Sequence, residues 1–273
     1  ASRMSVMRST LLGSLLQVLK FNLDRKAQRV RVFELGRVFL RDASVANTDT
    51  TVEGFHQPMR VAGVAYGAND VLQWGRKEQG IDFFDVKGDV EAMLAPLRAT
   101  FEPGTHPAMH PGRCARVLMN GKLIGHVGEL HPQWRQSWEL PQAPVLFELE
   151  LDAVLQRAVP QFKAVDNDKA VERDLAIVVA ERVTHSEVMA AVESAVPASL
   201  LRSAVLFDVY RPKAVRPGEE PAAGGAVAAG EKSLAVRLTL GRDEASLTEA
   251  EIEAAVQAVV TQLVARTGGR LRV

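Results

Sequence analysis

Two short stretches, Thr184-His185-Ser186-Glu187 and Thr248-Glu249-Ala250-Glu251, decide how the second half of this chain folds. Each is a capping box: the threonine hydroxyl can accept from a free N–H of the first helical turn, and the glutamate three residues on can reach back to the threonine N–H. The first helix they open carries Val188, Ala191, Val192 and Ala195 on one face and is stopped by Pro197. The second carries Ile252, Ala255, Val256, Val259, Val260 and Leu263, with Gly268-Gly269 able to supply a left-handed C-cap. Around them lie runs that read as strands: 173–179, 200–210, the alternating 233–240, and 270–273. The order β-α-β-β-α-β predicts a ferredoxin-like split βαβ domain with both helices on one face of a four-stranded sheet. Residues 211–231, rich in Pro, Gly, Ala and Glu, have little to bury and are predicted to form a mobile loop.

Working outward from there, residues 10–25 predict a helix whose Leu12, Leu15, Leu16, Leu19 and Leu23 share one face. Residues 30–40 read as a strand pair or a bent strand around Gly36, followed by a polar loop to Thr51. A strand at 60–65 and a helix over 84–97, with Val86, Val90, Met93, Leu94 and Leu97 inward, are followed by a Pro/Gly cluster at 103–112 that reads as the end of that unit. Asn120-Gly121 accepts the positive φ angles of a type I′ turn and joins strands at 115–119 and 122–127. Pro132 suits the first turn of a short helix to residue 138, and 145–151 is an apolar strand. The chain is thus predicted to be α+β with two domains: a mixed domain of antiparallel sheet and helices over 1–159, and the ferredoxin-like domain over 160–273.

Composition narrows the function. Over 273 residues, 33 Lys plus Arg balance 33 Asp plus Glu, and from residue 161 onward there are 14 basic against 16 acidic residues. Nonspecific capture of a polyanion is therefore excluded, and any nucleic-acid contact must be local. One cysteine, Cys114, permits no internal disulfide and fits a reducing cytoplasm. No apolar run reaches the length of a bilayer span, and Ala1-Ser2-Arg3-Met4 lacks the layout of a signal peptide.

A sheet with helices on one face leaves the other free. The polar and aromatic residues near its strand ends are Asp208, Tyr210, Arg211, Lys232, Ser233 and Arg272. Tyr210 can stack on a base, Asp208 can accept from a base amino or imino group, Ser233 can donate or accept, and Arg272 can meet a phosphate or a base edge. Elsewhere the chemistry-bearing residues read as structural. His106 and His110 are four apart, but Pro107 and Pro111 break any shared helix, so no metal site is expected. His126 and His131 read as structural histidines, Cys114 as a buried or bystander thiol, and Trp74, Trp134 and Trp138 as packing or partner-facing residues.

Four motifs, Arg173-Asp174-Leu175-Ala176, Phe207-Asp208-Val209-Tyr210, Lys232-Ser233-Leu234-Ala235 and Leu247-Thr248-Glu249, resemble in order and spacing the anticodon-binding domain of the phenylalanyl-tRNA synthetase beta chain. The first half is similar to the same family through Arg8-Ser9-Thr10-Leu11-Leu12, Phe33-Glu34-Leu35-Gly36-Arg37-Val38-Phe39, Asp82-Phe83-Phe84-Asp85-Val86-Lys87-Gly88, His110-Pro111-Gly112-Arg113 and the run from Gly125 to Pro132. The resemblance implies that Asp208, Tyr210, Ser233 and Arg272 read the first anticodon base of tRNA. It implies that residues 1–159 form a class II synthetase-like domain without catalytic function, packed against the alpha subunit that holds the aminoacylation site. The absence of a Gly-rich segment ending in an ATP-binding arginine agrees with that expectation. This fragment is then expected to have no catalytic residues, metal or cofactor of its own. ATP and magnesium would serve a cytoplasmic phenylalanine-tRNA ligase of two alpha and two beta chains, of which this is a C-terminal piece. Against this stands a second reading, an amino-acid-sensing regulatory module of the same fold on a structural domain. Such modules bind at glycine-containing strand–helix loops, and Ala180-Glu181-Arg182-Val183-Thr184 contains none.

Overall fold

The computed structural model describes residues 6–156, 170–212, 227–242 and 246–272. The chain divides into two compact units, Ala1–Pro160 and Gln161–Val273. The boundary predicted at 159/160, most of the loop predicted at 211–231, and Val273 lie outside the described residues.

The first unit runs α1 (Leu12–Leu23), β1 (Val30–Arg37), β2 (Leu40–Arg41), β3 (Phe55–His56), β4 (Met59–Tyr66), α2 (Phe83–Leu94), β5 (Thr100–Pro103), β6 (Met109–Met119), β7 (Lys122–Leu130), α3 (Pro132–Ser137), β8 (Val145–Glu150) and α4 (Leu151–Leu155). Six strands form one antiparallel sheet in the order β1-β4-β8-β7-β6-β5. Alternation along its central strands divides their side chains between two cores. Ala62, Val64 and Leu146 meet Leu12, Leu15 and Leu19 of α1. Val61, Val145, Phe147 and Leu149 meet Val86, Val90 and Leu94 of α2 and Ala153 and Val154 of α4.

The start of α1 has no side-chain cap of its own, because its N-cap is Leu11. Thr10 Oγ1 accepts from Leu12 N at 3.2 Å, and a carboxylate from β8 anchors this end: Glu148, 5% exposed, accepts from Leu11 N at 2.6 Å and Thr10 Oγ1 at 2.8 Å and pairs with Arg60 at 2.6 Å. Glu34 of β1 adds an ion pair with Arg8 and a hydrogen bond from Ser14 at 2.6 Å. Gly36 leaves room for this anchor, since a Cβ there would lie 2.2 Å from Arg8 Nη2.

Several expectations need correction here. Gly36 sits inside a continuous β1, opposite Arg60, and makes no turn. The 103–112 cluster does not end the unit: β5 pairs with β6, and β6 starts at Met109. Pro111 is tolerated because the β6–β7 ladder shifts register between Met109 and Cys114, where no donor is required of it. Helix α2 stops at Leu94, since Ala95 precedes Pro96 and is extended, which leaves Leu97 outside it. Its start is a capping box of Asp82 and Asp85 that the sequence reading passed over. Strand β8 ends at Glu150 and α4 follows at once. The Asn120-Gly121 turn is as expected, with φ values of 52° and 78°.

The second unit runs β9 (Val171–Ala180), α5 (His185–Ala195), β10 (Leu201–Tyr210), β11 (Glu231–Leu240), α6 (Glu249–Thr267) and β12 (Arg270–Leu271). The sheet order β10-β11-β9-β12, all antiparallel, is that of the split βαβ fold. Both capping boxes form: Glu187 accepts from Thr184 N at 2.7 Å and Glu251 from Thr248 N at 3.0 Å. The backbone N–H of Thr248, with Arg242 beside it, pulls the Glu251 carboxyl down to about 2. Gly268 closes α6 in the left-handed conformation, φ 66°. Leu175, Ile177 and Val179 of β9 and Leu234, Val236 and Leu238 of β11 pack under Val188 and Val192 of α5 and Ile252, Val259 and Leu263 of α6. Both helices therefore cover one face of the sheet.

Candidate nucleic-acid interface

The register of the second sheet fixes which side chains share its uncovered face. Tyr210 is the partner of Ser233, which is the partner of Val178, which is the partner of Arg270. One pleat away, Asp208 faces Ala235 and Ala235 faces Ala176, whose carbonyl accepts from Arg272 N at 2.8 Å. Because opposed residues on neighbouring strands point to the same side, Asp208, Tyr210 and Ser233 stand together on the face away from the helices. Arg272 joins them: its guanidinium carbon lies 5.2 Å from the centre of the Tyr210 ring. The four residues singled out from sequence thus converge on one end of one sheet face.

Their surroundings differ. Tyr210 is 46% exposed and Ser233 only 4%. Asp208 is exposed and has no ion pair among those of the described residues, whereas the neighbouring charges are committed. Arg270 pairs with Glu231, and that contact holds the Glu231 carboxyl at about 2. Arg211 pairs with Glu181 at 2.9 Å, which lowers the Glu181 carboxyl. Lys232, offered by the sequence as a free-face residue, is on the other side. It shares the parity of Leu234 and Val236, is buried, and donates from Nζ to the Glu181 carbonyl at 2.8 Å.

Residue Phe207 escaped attention as a surface group. The β10–β11 register shifts between Leu206 and Asp208, so Phe207 is an extra residue with no partner on β11. Its ring is 53% exposed and lies 5.3 Å from the guanidinium carbon of Arg237. Arg237 belongs to the uncovered face, because it is opposite Asp174 and bonds both of that carboxylate's oxygens at 2.8 Å.

In the first unit, three histidines hold local backbone. Nδ1 of His106, His110 and His131 each accepts a backbone N–H two residues on, and His131 thereby caps α3. The rings of His106 and His126 meet at a tilt of 46°, with centres 5.1 Å apart. Burial lowers the pKa of both from the ordinary 6.5; His126 is lowered further by His106, Arg116 and Arg60, while Glu148 opposes the shift at each. A histidine kept neutral by folding stabilises the protein fully above the unfolded pKa, and that stability is lost as pH falls from there toward the depressed folded value. The urea midpoint of the first unit is expected to drop between about pH 7.5 and about pH 5.5, with the drop reduced in His126→Gln. Cys114 is buried with its thiol pKa raised by burial, and its Sγ lies 3.6 Å from Met109 Sδ. Trp138 packs on the core of α1, and Trp134 donates to the Pro107 carbonyl at 3.2 Å. Among the described residues, no group of three or more His, Cys, Asp or Glu is placed to hold a metal ion, and no helix is long and apolar enough to cross a membrane.

Comparison with known proteins gives the family of each unit. The family profile "Phenylalanyl tRNA synthetase beta chain CLM domain" matches residues 1–151, and "Ferredoxin-fold anticodon binding domain" matches residues 168–272. The phenylalanine–tRNA ligase beta subunit of Ralstonia nicotianae is 48% identical over 276 residues, covering 100% of this chain and 33% of the relative. That of Cupriavidus pinatubonensis is 47% identical over 276 residues with the same shares. The chain spans about a third of the length of these curated relatives. A structure of Desulfitobacterium hafniense PylSc, a pyrrolysyl tRNA synthetase, aligns over 54% of this chain and 47% of that chain, at TM-score 0.36 and 13% identity. With one profile over the first unit, another over the second, and near-half identity through the whole length, the chain belongs to the phenylalanyl-tRNA synthetase beta chain family.

Proposed function

We propose that the second unit reads the first anticodon base of tRNA within a phenylalanine-tRNA ligase, using Asp208, Tyr210, Ser233 and Arg272. The observation that carries this reading is their convergence: Tyr210 opposite Ser233, Asp208 one pleat away, and the Arg272 guanidinium 5.2 Å from the Tyr210 ring. An exposed ring offers a π-face to any base, while an unpaired carboxylate and a hydroxyl select the base by its edge. Among the described residues, Arg211, Arg237 and Arg270 are held by carboxylates, whereas Arg272 lies against the Tyr210 ring and can meet the RNA directly. Arg272 alone adds about 0.7 to the log–log salt slope of binding to single-stranded RNA.

The first unit, the domain over 1–159, acts as a non-catalytic class II synthetase-like scaffold that docks on the alpha subunit, in an assembly of two alpha and two beta chains. Strand β1 supports this: it is an edge of the sheet, with Phe33 and Leu35 exposed beside a groove of about 400 Å³ that Val61, Val86, Phe147 and Val154 also line. An apolar edge of this kind fits burial by a partner chain. ATP and magnesium act in the alpha subunit. No observation favours the amino-acid-sensing module.

The test uses the assembled ligase. Tyr210→Ala is expected to lower kcat/KM for tRNA by about 5- to 150-fold, the equivalent of roughly 1 to 3 kcal/mol for one base stack, with ATP–pyrophosphate exchange unchanged. The loss should shrink when the first anticodon base is itself removed. Unchanged aminoacylation by Tyr210→Ala would overturn the assignment.

A further inference from the structure

We infer that the uncovered sheet face carries a second stacking station, formed by Phe207, Arg237 and Asp174, which receives an unstacked base adjacent to the one at Tyr210. This rests on the reading of that face as the anticodon-binding surface, and it extends the binding site from one base to two.

The bulge in β10 creates the station. Leu206 is paired with Val236 on the helix side and Asp208 with Ala235 on the open side, so Phe207 is inserted between the two phases with no cross-strand neighbour. A large ring left 53% exposed here, beside the Tyr210 group, has no core to fill. Arg237 lies 5.3 Å from that ring. Asp174 grips it through two bonds of 2.8 Å, and Glu172 adds a contact at 3.4 Å. A guanidinium fixed in this way is a plate against the ring, leaving the rest of its surface for a ligand.

The charge around the station says what that ligand is. One guanidinium is set against two carboxylates, so the station is acidic and repels phosphate. A base, with its π-face and its amino or imino donors, fits where a backbone does not. Spacing leads to the same conclusion. Phe207 and Tyr210 are three residues apart on a strand that rises about 3.3 Å per residue, so the two rings are separated by roughly 10 Å along the strand. Stacked bases are only about 3.4 Å apart along a strand, so two bases on these rings must be splayed out separately, as single-stranded loops allow.

The experiment places 2-aminopurine at the first anticodon base, or at the base on either side of it, and follows its fluorescence when the RNA binds the assembled ligase. Stacking on an aromatic ring should quench the probe at the first position and at one neighbour. Phe207→Leu keeps the apolar bulk and removes the π-face; it should abolish quenching at the neighbour alone and weaken RNA binding about tenfold, within the range of one base stack. Arg237→Gln should weaken the same quench, with the first position unaffected. Quenching confined to the first position, or unaffected by Phe207→Leu, overturns the second station and leaves the first intact. No quenching anywhere, together with normal binding by Tyr210→Ala, removes both.

Discussion

Glu148→Ala is expected to destabilise the first unit by about 3 to 5 kcal/mol, the range for breaking a buried ion pair from one side. The carboxylate is almost wholly buried and receives three donors: the Leu11 N–H, the Thr10 hydroxyl and the Arg60 guanidinium. Arg60 Nε is already buried without a hydrogen-bond partner, so its charge has little else to turn to when Glu148 is gone. Glu148→Gln keeps an acceptor and loses the charge, and should cost less, about 1 to 3 kcal/mol. All three tryptophans, Trp74, Trp134 and Trp138, belong to this unit, so the shift is read as a lower urea midpoint in tryptophan fluorescence. A midpoint within error of wild type would mean that the carboxylate does not anchor α1.

Leu238→Ala should have a comparable effect on the second unit, about 2 to 5 kcal/mol. Leu238 is fully buried on β11, the strand hydrogen-bonded to both β10 and β9, and lies under α5 and α6. Its truncation leaves a cavity that neighbouring Val236 and Leu240 cannot close without shifting the strand. Since β11 presents Ser233 and Arg237 on its other face, the same change should loosen the proposed RNA site. Amide hydrogen exchange across β9, β10 and β11 should accelerate by about 30-fold or more, the equivalent of at least 2 kcal/mol. Tryptophan fluorescence, which reports the other unit, should not respond. Exchange at the wild-type rate would place the stabilising core elsewhere.

What could be read from sequence followed the locality of the signal. The two Thr…Glu capping boxes and the Asn120-Gly121 turn each act within four residues, and each is found where the sequence put it. Asp82 and Asp85 form the same kind of box, but with a shorter carboxylate than the usual pattern, and it went unread. Signals that depend on the partner strand were misread. The Pro/Gly cluster at 103–112 reads as a break until the β6–β7 register shift shows that Pro111 owes the ladder no donor. Lys232 has the composition of a surface residue, yet strand phase puts it on the helix side with Glu181. Simple alternation would group Phe207 with Val209 and hide it; the bulge reverses that. The predicted fold offered Asp208, Tyr210, Ser233 and Arg272 among six free-face candidates, and the family likeness narrowed the six to these four, because nothing local ties Arg272 to a ring 62 positions earlier in the chain.

The anchoring of α1 by Glu148 also bears on the order in which the chain can fold as it is made. The N–H of Leu11 and the carboxylate that satisfies it are 137 residues apart. At synthesis rates of about 5 to 20 residues per second, the leucine-rich helix waits roughly 7 to 30 seconds for that carboxylate to emerge from the ribosome. Through that interval its apolar face has neither its final anchor nor β8 to lie on, and such transiently exposed apolar surface is what chaperones bind.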